Sequence, residues 1–291
     1  MLSVAGQRQS ANVSLAQSIE NRYFTHMKAK RLHARSYIRD LAASGRHSFT
    51  SNEARAALGV SAAASKLALH RLFREGQIAS PARGFYVIVP PEYEALGCLP
   101  ANQFIPALMQ RAGLPYYAGL LTAAEYYGAA HHRPQVFQVM LAQPRRPIHC
   151  GQVRVAFFVR KRLQEILLQS FNTPRGTIEI SSPEATALDL VGYQHQVGGL
   201  DVVVTILSEL AERINPKKLV AAARTAPLPW AQRLGHLLEQ AGAPEKAAAL
   251  KAHVKGAARQ TVALLPGARA EEARRDAHWK LIVNAAVEPE A

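Results

Sequence analysis

The residues best placed to do chemistry form a basic stripe. Between Ser61 and Glu75, a step of about 100° per residue sets Ser65, Ala68, Leu69, Leu72 and Phe73 on one face of a helix. Ala63, Leu67, His70, Arg71 and Arg74 fall on the other face, with Lys66 at the flank. Lys66, His70 and Arg71 are donors of the kind that meet guanine or phosphate oxygens, while the small Ala62 and Ala63 let the backbone approach base edges. An amphipathic core helix with a solvated charged face has the same pattern. The surroundings favour the nucleic-acid reading: Arg83 falls at the tip of an expected hairpin, and Lys28, Lys30, Arg31 and Arg35 precede the first helix. Such charges neutralise phosphates, and a merely structural trihelical unit does not need them. The candidate DNA contacts are therefore Lys28, Lys30, Arg31, Arg35, Ser61, Ala62, Ala63, Lys66, His70, Arg71, Arg74 and Arg83.

A second basic segment runs from Arg145-Arg146 through Arg154 to Arg160-Lys161-Arg162, with no acid between them. It reads equally as a second nucleic-acid patch, which Arg133 and Arg175 would extend, or as a sheet edge guarded by charge. His131-His132 and His149-Cys150 do not make ready chelates, because neighbouring side chains on a strand point to opposite faces, and no metal or cofactor is expected. Glu179, Glu184 and Asp189 come nearest to a carboxylate cluster. Yet Glu184 has a helix N-terminus to serve, and Asp189 has a base to find, with Arg233 as the candidate partner for either acid. A nuclease would also need a lysine or second acid at a defined spacing. No phosphate-cradling loop, nucleophile elbow or dinucleotide fingerprint occurs, so catalytic residues are not expected.

These side chains need a scaffold, and the punctuation for one is present. Ile38, Leu41 and Ala42 give a short helical face that stops at Gly45, and Phe49-Thr50-Ser51-Asn52-Glu53 offers cap residues before a second helix through Ala54, Ala57 and Leu58. After Gly59-Val60, Ser61 caps the third helix, which Gly76 ends. Two helices joined so tightly are a helix-turn-helix. Gln77 to Ser80 and Phe85 to Val89 then flank a Pro81-Ala-Arg83-Gly84 turn, and this hairpin makes the arrangement the winged variant.

After Pro90-Pro91 come helical patterns at about 102–112 and 116–128 and strands at Val136–Ala142, Val153–Val159 and Gly176–Ile180. Helices follow at about 183–192, 199–213, 216–225, 229–241 and 244–253, and a last β-type run, Trp279 to Val283, is placed to return to the sheet. The expected fold is α+β: a winged helix-turn-helix over 27–95, then a larger α+β domain over 96–291 with a helical C-terminal half. Residues 1–26 read as a loose tail, with Met27 an equally good translation start.

Composition sets the wider bounds. The formal net charge of the 291-residue chain is +14, which favours polyanionic partners, and residues 27–95 hold 11 Lys/Arg against 5 Asp/Glu. Only Cys98 and Cys150 occur, and no apolar run approaches the roughly 20 residues a membrane span requires, so a reduced, cytoplasmic protein is expected.

Four stretches carry a family resemblance. They are Tyr116-Tyr117-Ala118-Gly119-Leu120-Leu121-Thr122-Ala123-Ala124-Glu125-Tyr126-Tyr127-Gly128-Ala129 with Pro134 to Val139, Ile180-Ser181-Ser182-Pro183-Glu184 through Val191, Gln232-Arg233-Leu234-Gly235-His236 through Glu239, and Trp279 to Asn284. In this order they resemble the AbiEi family, antitoxins of type IV toxin-antitoxin systems. The resemblance implies autorepression through inverted repeats upstream of the operon, and a C-terminal domain that counters a nucleotidyltransferase-like toxin without a stable complex. The alternative from the residues alone is a nucleic-acid-acting enzyme, a nuclease or nucleotidyltransferase, targeted by the winged domain.

Overall fold

Three hydroxyl side chains mark where helices begin. Thr50 and Glu53 form a reciprocal capping box, Ser61 accepts from the Ala64 amide at 3.2 Å, and Ser182 accepts from the Ala185 amide at 3.3 Å. In the computed structural model these caps lie in two separate units, one ending at Ile88 and one starting at Val89. The structure describes residues 33–129, 134–269 and 273–288. Lys28, Lys30, Arg31, Arg133 and the His131-His132 pair lie outside the described residues, as does the expected tail at 1–26. The described chain is a mixed α+β protein with ten helices and three sheets.

The first unit contains α1 (Ala34–Ala43), β1 (Ser48–Thr50), α2 (Ser51–Leu58), α3 (Ala62–Arg74), β2 (Ile78–Ala82) and β3 (Phe85–Ile88). Its strands form an antiparallel sheet in the order β1-β3-β2. Phe49, 1% exposed, holds the core together: Tyr37 meets it edge-on and Tyr86 stacks on it, with Ile38, Leu58, Leu69 and Leu72 around them. Gly59, at φ 61°, ends α2 in a left-handed turn that a side chain would strain, and only Val60 and Ser61 separate it from α3. β1 is an addition to the sequence reading, since a three-residue strand next to a cap has too little pattern to announce itself. Pro81 does not end β2 as expected. Lacking an amide hydrogen, it sits at a break in register between Ala79 and Ala82, and Ser80 bridges the bulge by donating to the carbonyls of Ala82 and Phe85.

The second unit is built on a mixed six-stranded sheet in the order β6-β7-β5-β4-β9-β8. The strands are β4 (Tyr116–Ala118), β5 (Phe137–Leu141), β6 (Ile148–Cys150), β7 (Val153–Val159), β8 (Leu168–Thr173) and β9 (Gly176–Ser181). Helix α4 (Ala101–Ala112) precedes them, and α5 (Leu120–Tyr126) follows β4. The helix expected over 116–128 is thus a strand and a helix, divided at Gly119. The C-terminal half carries α6 (Pro183–Gly192), α7 (Leu200–Leu210), α8 (Pro216–Thr225), α9 (Leu228–Gln240) and α10 (Pro244–Ala257), close to the expected positions. The last β-type run does not rejoin this sheet: β12 (Leu281–Val283) pairs parallel with β10 (Val262–Ala263) and antiparallel with β11 (Arg274–Asp276) in a sheet of its own.

The C-terminal motifs lock this small sheet to α9. Gln232 donates to the carbonyls of Gln260, Trp279 and Lys280, while His236 meets Asp276 at 2.9 Å. The Trp279 indole donates to Glu239 at 2.9 Å, and a side-chain carbon on Gly235 would come within 2.0 Å of its ring. Gln232, Gly235 and Trp279 therefore occur together for packing reasons.

Candidate nucleic-acid interface

α3 is the element that carries the expected contacts. Ser65, Leu69 and Leu72 are its buried side, whereas Ala62, Ala63, Lys66, Leu67, His70, Arg71 and Arg74 are exposed. Lys66, His70, Arg71 and Arg74 have no acidic partner among the described residues. Arg71 and Arg74 also lie in the last turn, where they complement the partial negative charge of the helix end. Phe73 departs from the expected inward face at 49% exposure, because one position beyond Leu72 the helix has turned about 100° out of the core.

The flanking charges differ from one another. Arg83 lies exposed in the two-residue turn between β2 and β3. Arg35 is already engaged, its guanidinium donating to both oxygens of Glu75 at 2.9 and 3.3 Å, so a phosphate would have to compete for it. Arg46 similarly donates to Glu53 at 2.6 Å.

The second basic segment does not assemble as one patch. Arg145 and Arg146 lie between β5 and β6, Arg154 is the second residue of β7, and Lys161 and Arg162 follow its far end, roughly 20 Å away along a seven-residue strand. Arg145 lays its guanidinium over Phe157 at 5.4 Å, and Arg162 approaches Glu165 at 3.8 Å. Arg160 is no surface residue: it is 3% exposed and donates from Nε to Asp189 at 2.9 Å. Arg175 is committed as well, to Gln103 at 2.6 Å and to Glu92 at 3.5 Å.

This corrects the expected partner of Asp189. Arg233 donates instead to the Ala263 carbonyl at 3.0 Å, and the carboxylate of Asp189 is shared by Arg160 and the Tyr117 hydroxyl, which donates at 2.6 Å. Trp230 closes the cluster with its ring 4.8 Å from the Arg160 guanidinium, and its approach leaves room only for glycine at 192. Burial raises the Asp189 carboxyl, with Arg160 and Tyr117 pulling the other way, and burial together with the Asp189 charge raises the Tyr117 hydroxyl. Glu184 accepts from the Asn215 amide at 2.9 Å, and Glu179 from Ser170. The three acids thus serve separate structural bonds.

His149 is exposed and Cys150 buried, on opposite faces of β6 as strand alternation requires. Among the described residues no three His, Cys, Asp or Glu side chains converge as metal ligands, and no helix is long and apolar enough to cross a membrane. A groove of about 530 Å³ opens beside the start of α4, with Glu125 and Arg154 in its wall. One acid and one base in the lining are not the paired-carboxylate arrangement of hydrolytic sites.

Comparison with known proteins bears on both units. Residues 35–89 match a family model described as a transcriptional regulator, AbiEi antitoxin, and residues 117–240 match the AbiEi antitoxin C-terminal domain. The crystal structure of the RV2827C protein from Mycobacterium tuberculosis is similar at a TM-score of 0.63 and 18% identity, covering 85% of this chain and 90% of that one. At that identity the likeness concerns the fold alone. An antigenic nucleotidyltransferase-like protein from Paracoccidioides brasiliensis is matched at a TM-score of 0.33 and 13% identity, over 52% of this chain and 91% of that one. No curated protein matches.

Proposed function

Since the chain belongs to the AbiEi antitoxin family, whose two domain models together match more than half of it, we propose that it is a DNA-binding autorepressor and type IV antitoxin. In this reading residues 27–95 are a winged helix-turn-helix, with α2 and α3 as the paired helices and the β2–β3 hairpin as the wing. α3 enters the major groove of inverted repeats upstream of its own operon. Arg83 tracks the backbone beside it. The larger domain, residues 96–291, counters a nucleotidyltransferase-like toxin without forming a stable complex.

The observation that carries the reading is the outer face of α3, where Lys66, His70, Arg71 and Arg74 stand exposed without acidic partners among the described residues. The fold makes use of Arg71 and Arg74 at the helix end only, whereas a polyanion meeting the whole stripe gains counterion release. Mobility shifts at moderate salt test it, with a preference on the order of a thousandfold for the upstream region over unrelated duplex expected. Equal affinity for both sinks the repressor half. For the antitoxin half, co-expression with a nucleotidyltransferase-like neighbour is expected to restore growth, and continued growth arrest sinks it.

A further inference from the structure

Leu67 is 52% exposed, and the chemistry proposed for α3 leaves it without a role. It lies in the middle of the outer face, one turn from Ala63 on one side and from His70 and Arg71 on the other, all of them exposed. A scattered surface leucine is ordinary. This one occupies the centre of a surface whose other long polar side chains are Lys66, His70, Arg71 and Arg74, and the exposed residues of the first helical turn before it are alanines. With Ala62, Ala63 and Ala64 at the start of the helix, Leu67 is the first apolar side chain on that face long enough to reach beyond the backbone.

Leucine has no polar atom. Set against the donor and acceptor edges of a G·C pair, it would strip them of water and return no hydrogen bond. The major groove offers one apolar group, the C5-methyl of thymine. We propose that Leu67 is a specificity residue that reads a thymine methyl in each half-site, a role that rests on α3 being the groove-reading helix. Phe73, the other large hydrophobic side chain exposed on α3, does not share it. Six residues on, it lies about 9 Å further along the axis and is rotated about 120° from Leu67.

The test uses the full-length protein and duplexes of its upstream region in which single thymines are replaced by deoxyuridine, which removes only the methyl group. One position per half-site is expected to weaken wild-type binding about fourfold, as for one methyl group withdrawn from water. In Leu67→Ala the same replacement is expected to have no effect. Leu67→Gln is expected to shift the preference there from thymine to adenine. Both variants should melt with the wild type, since the side chain is exposed. Specific binding that is indifferent to every deoxyuridine, or a methyl effect that survives in Leu67→Ala, overturns the role of Leu67 and leaves the repressor reading intact. Loss of all preference for the upstream duplex in the wild type overturns both.

Discussion

Basic side chains are used in opposite ways in the two units. On α3, Lys66, Arg71 and Arg74 extend into water without acidic partners among the described residues, whereas Arg160 is enclosed between Asp189 and the ring of Trp230. An ion buried alone costs several kcal/mol, so Arg160 can be held inside only because its charge is matched and its planar face covered. An exposed cation carries no such cost and is available to a ligand. Arg35 stands between these cases: exposed, yet already paired with Glu75. Charge count alone therefore says little about an interface, and the unpaired fraction says more.

The largest effect that would break this contrast is on stability. Arg160→Ala leaves Asp189 buried without its counterion, at a cost of about 3–5 kcal/mol. For a domain of this size that is a fall of roughly 10 °C in the C-terminal melting transition. Arg233→Ala removes one hydrogen bond to a carbonyl and should cost only about 1 kcal/mol. Thermal denaturation of both variants decides the matter. If Arg233 proves the more costly of the two, the pairing of Arg160 with Asp189 is not what stabilises this domain.

The sequence was informative about local rules and silent about distant partners. The caps at Thr50, Ser61 and Ser182 and the helices that follow them depend on neighbours within a turn, and they fall where expected. Asp189 was recognisable as a residue in need of a base, since it interrupts an apolar helix of which Pro183 to Val191 are all buried. Its partner was not recognisable: Arg160 is 29 positions away, at the head of what reads as a surface run of three cations. The signal that could have found it is the alternation of β7, which puts Arg160 on the same side as Phe158. Tyr117 and Trp230 were missed for the same reason, because their contacts are tertiary. Short strands were missed too, β4 because Tyr116 to Ala118 continue straight into a helical pattern. On α3 the outer face was legible, except that Phe73 sits at the border of the two faces.

Next in size are the effects on DNA binding. Lys66→Ala and Arg71→Ala are each expected to lower affinity for the upstream region by about tenfold or more while leaving both melting transitions in place. Arg83→Ala should weaken all sequences alike and reduce the slope of log affinity against log salt by about 0.9, the signature of one lost phosphate contact. Titrations at several salt concentrations separate the two classes. An equal loss on specific and unrelated duplexes for all three variants would erase the distinction between a reading helix and a backbone-contacting turn.

The smallest effect concerns acid, and it sharpens what a paired surface charge is worth. Partial burial pushes the Glu53 carboxyl up, but hydrogen bonds from Arg46 and Thr50 outweigh it and hold the group below its ordinary value. A depressed carboxyl binds its proton less tightly in the folded unit than in the unfolded chain. Its contribution is therefore fully present above the ordinary carboxylate range and is lost as pH falls through the folded value. With the side chains of Arg46 and Glu53 53% and 43% exposed, solvent screens much of the attraction, and the effect should be modest. Glu53→Gln tests it while keeping a residue that can still close the capping box at that position. The wild-type N-terminal transition is expected to fall between pH 5 and pH 3, about the carboxylate range, more steeply than that of the variant. Parallel curves would mean that Arg46 and Glu53 are neighbours without consequence. Arg46 would then be as available to a phosphate as the unpaired cations of α3.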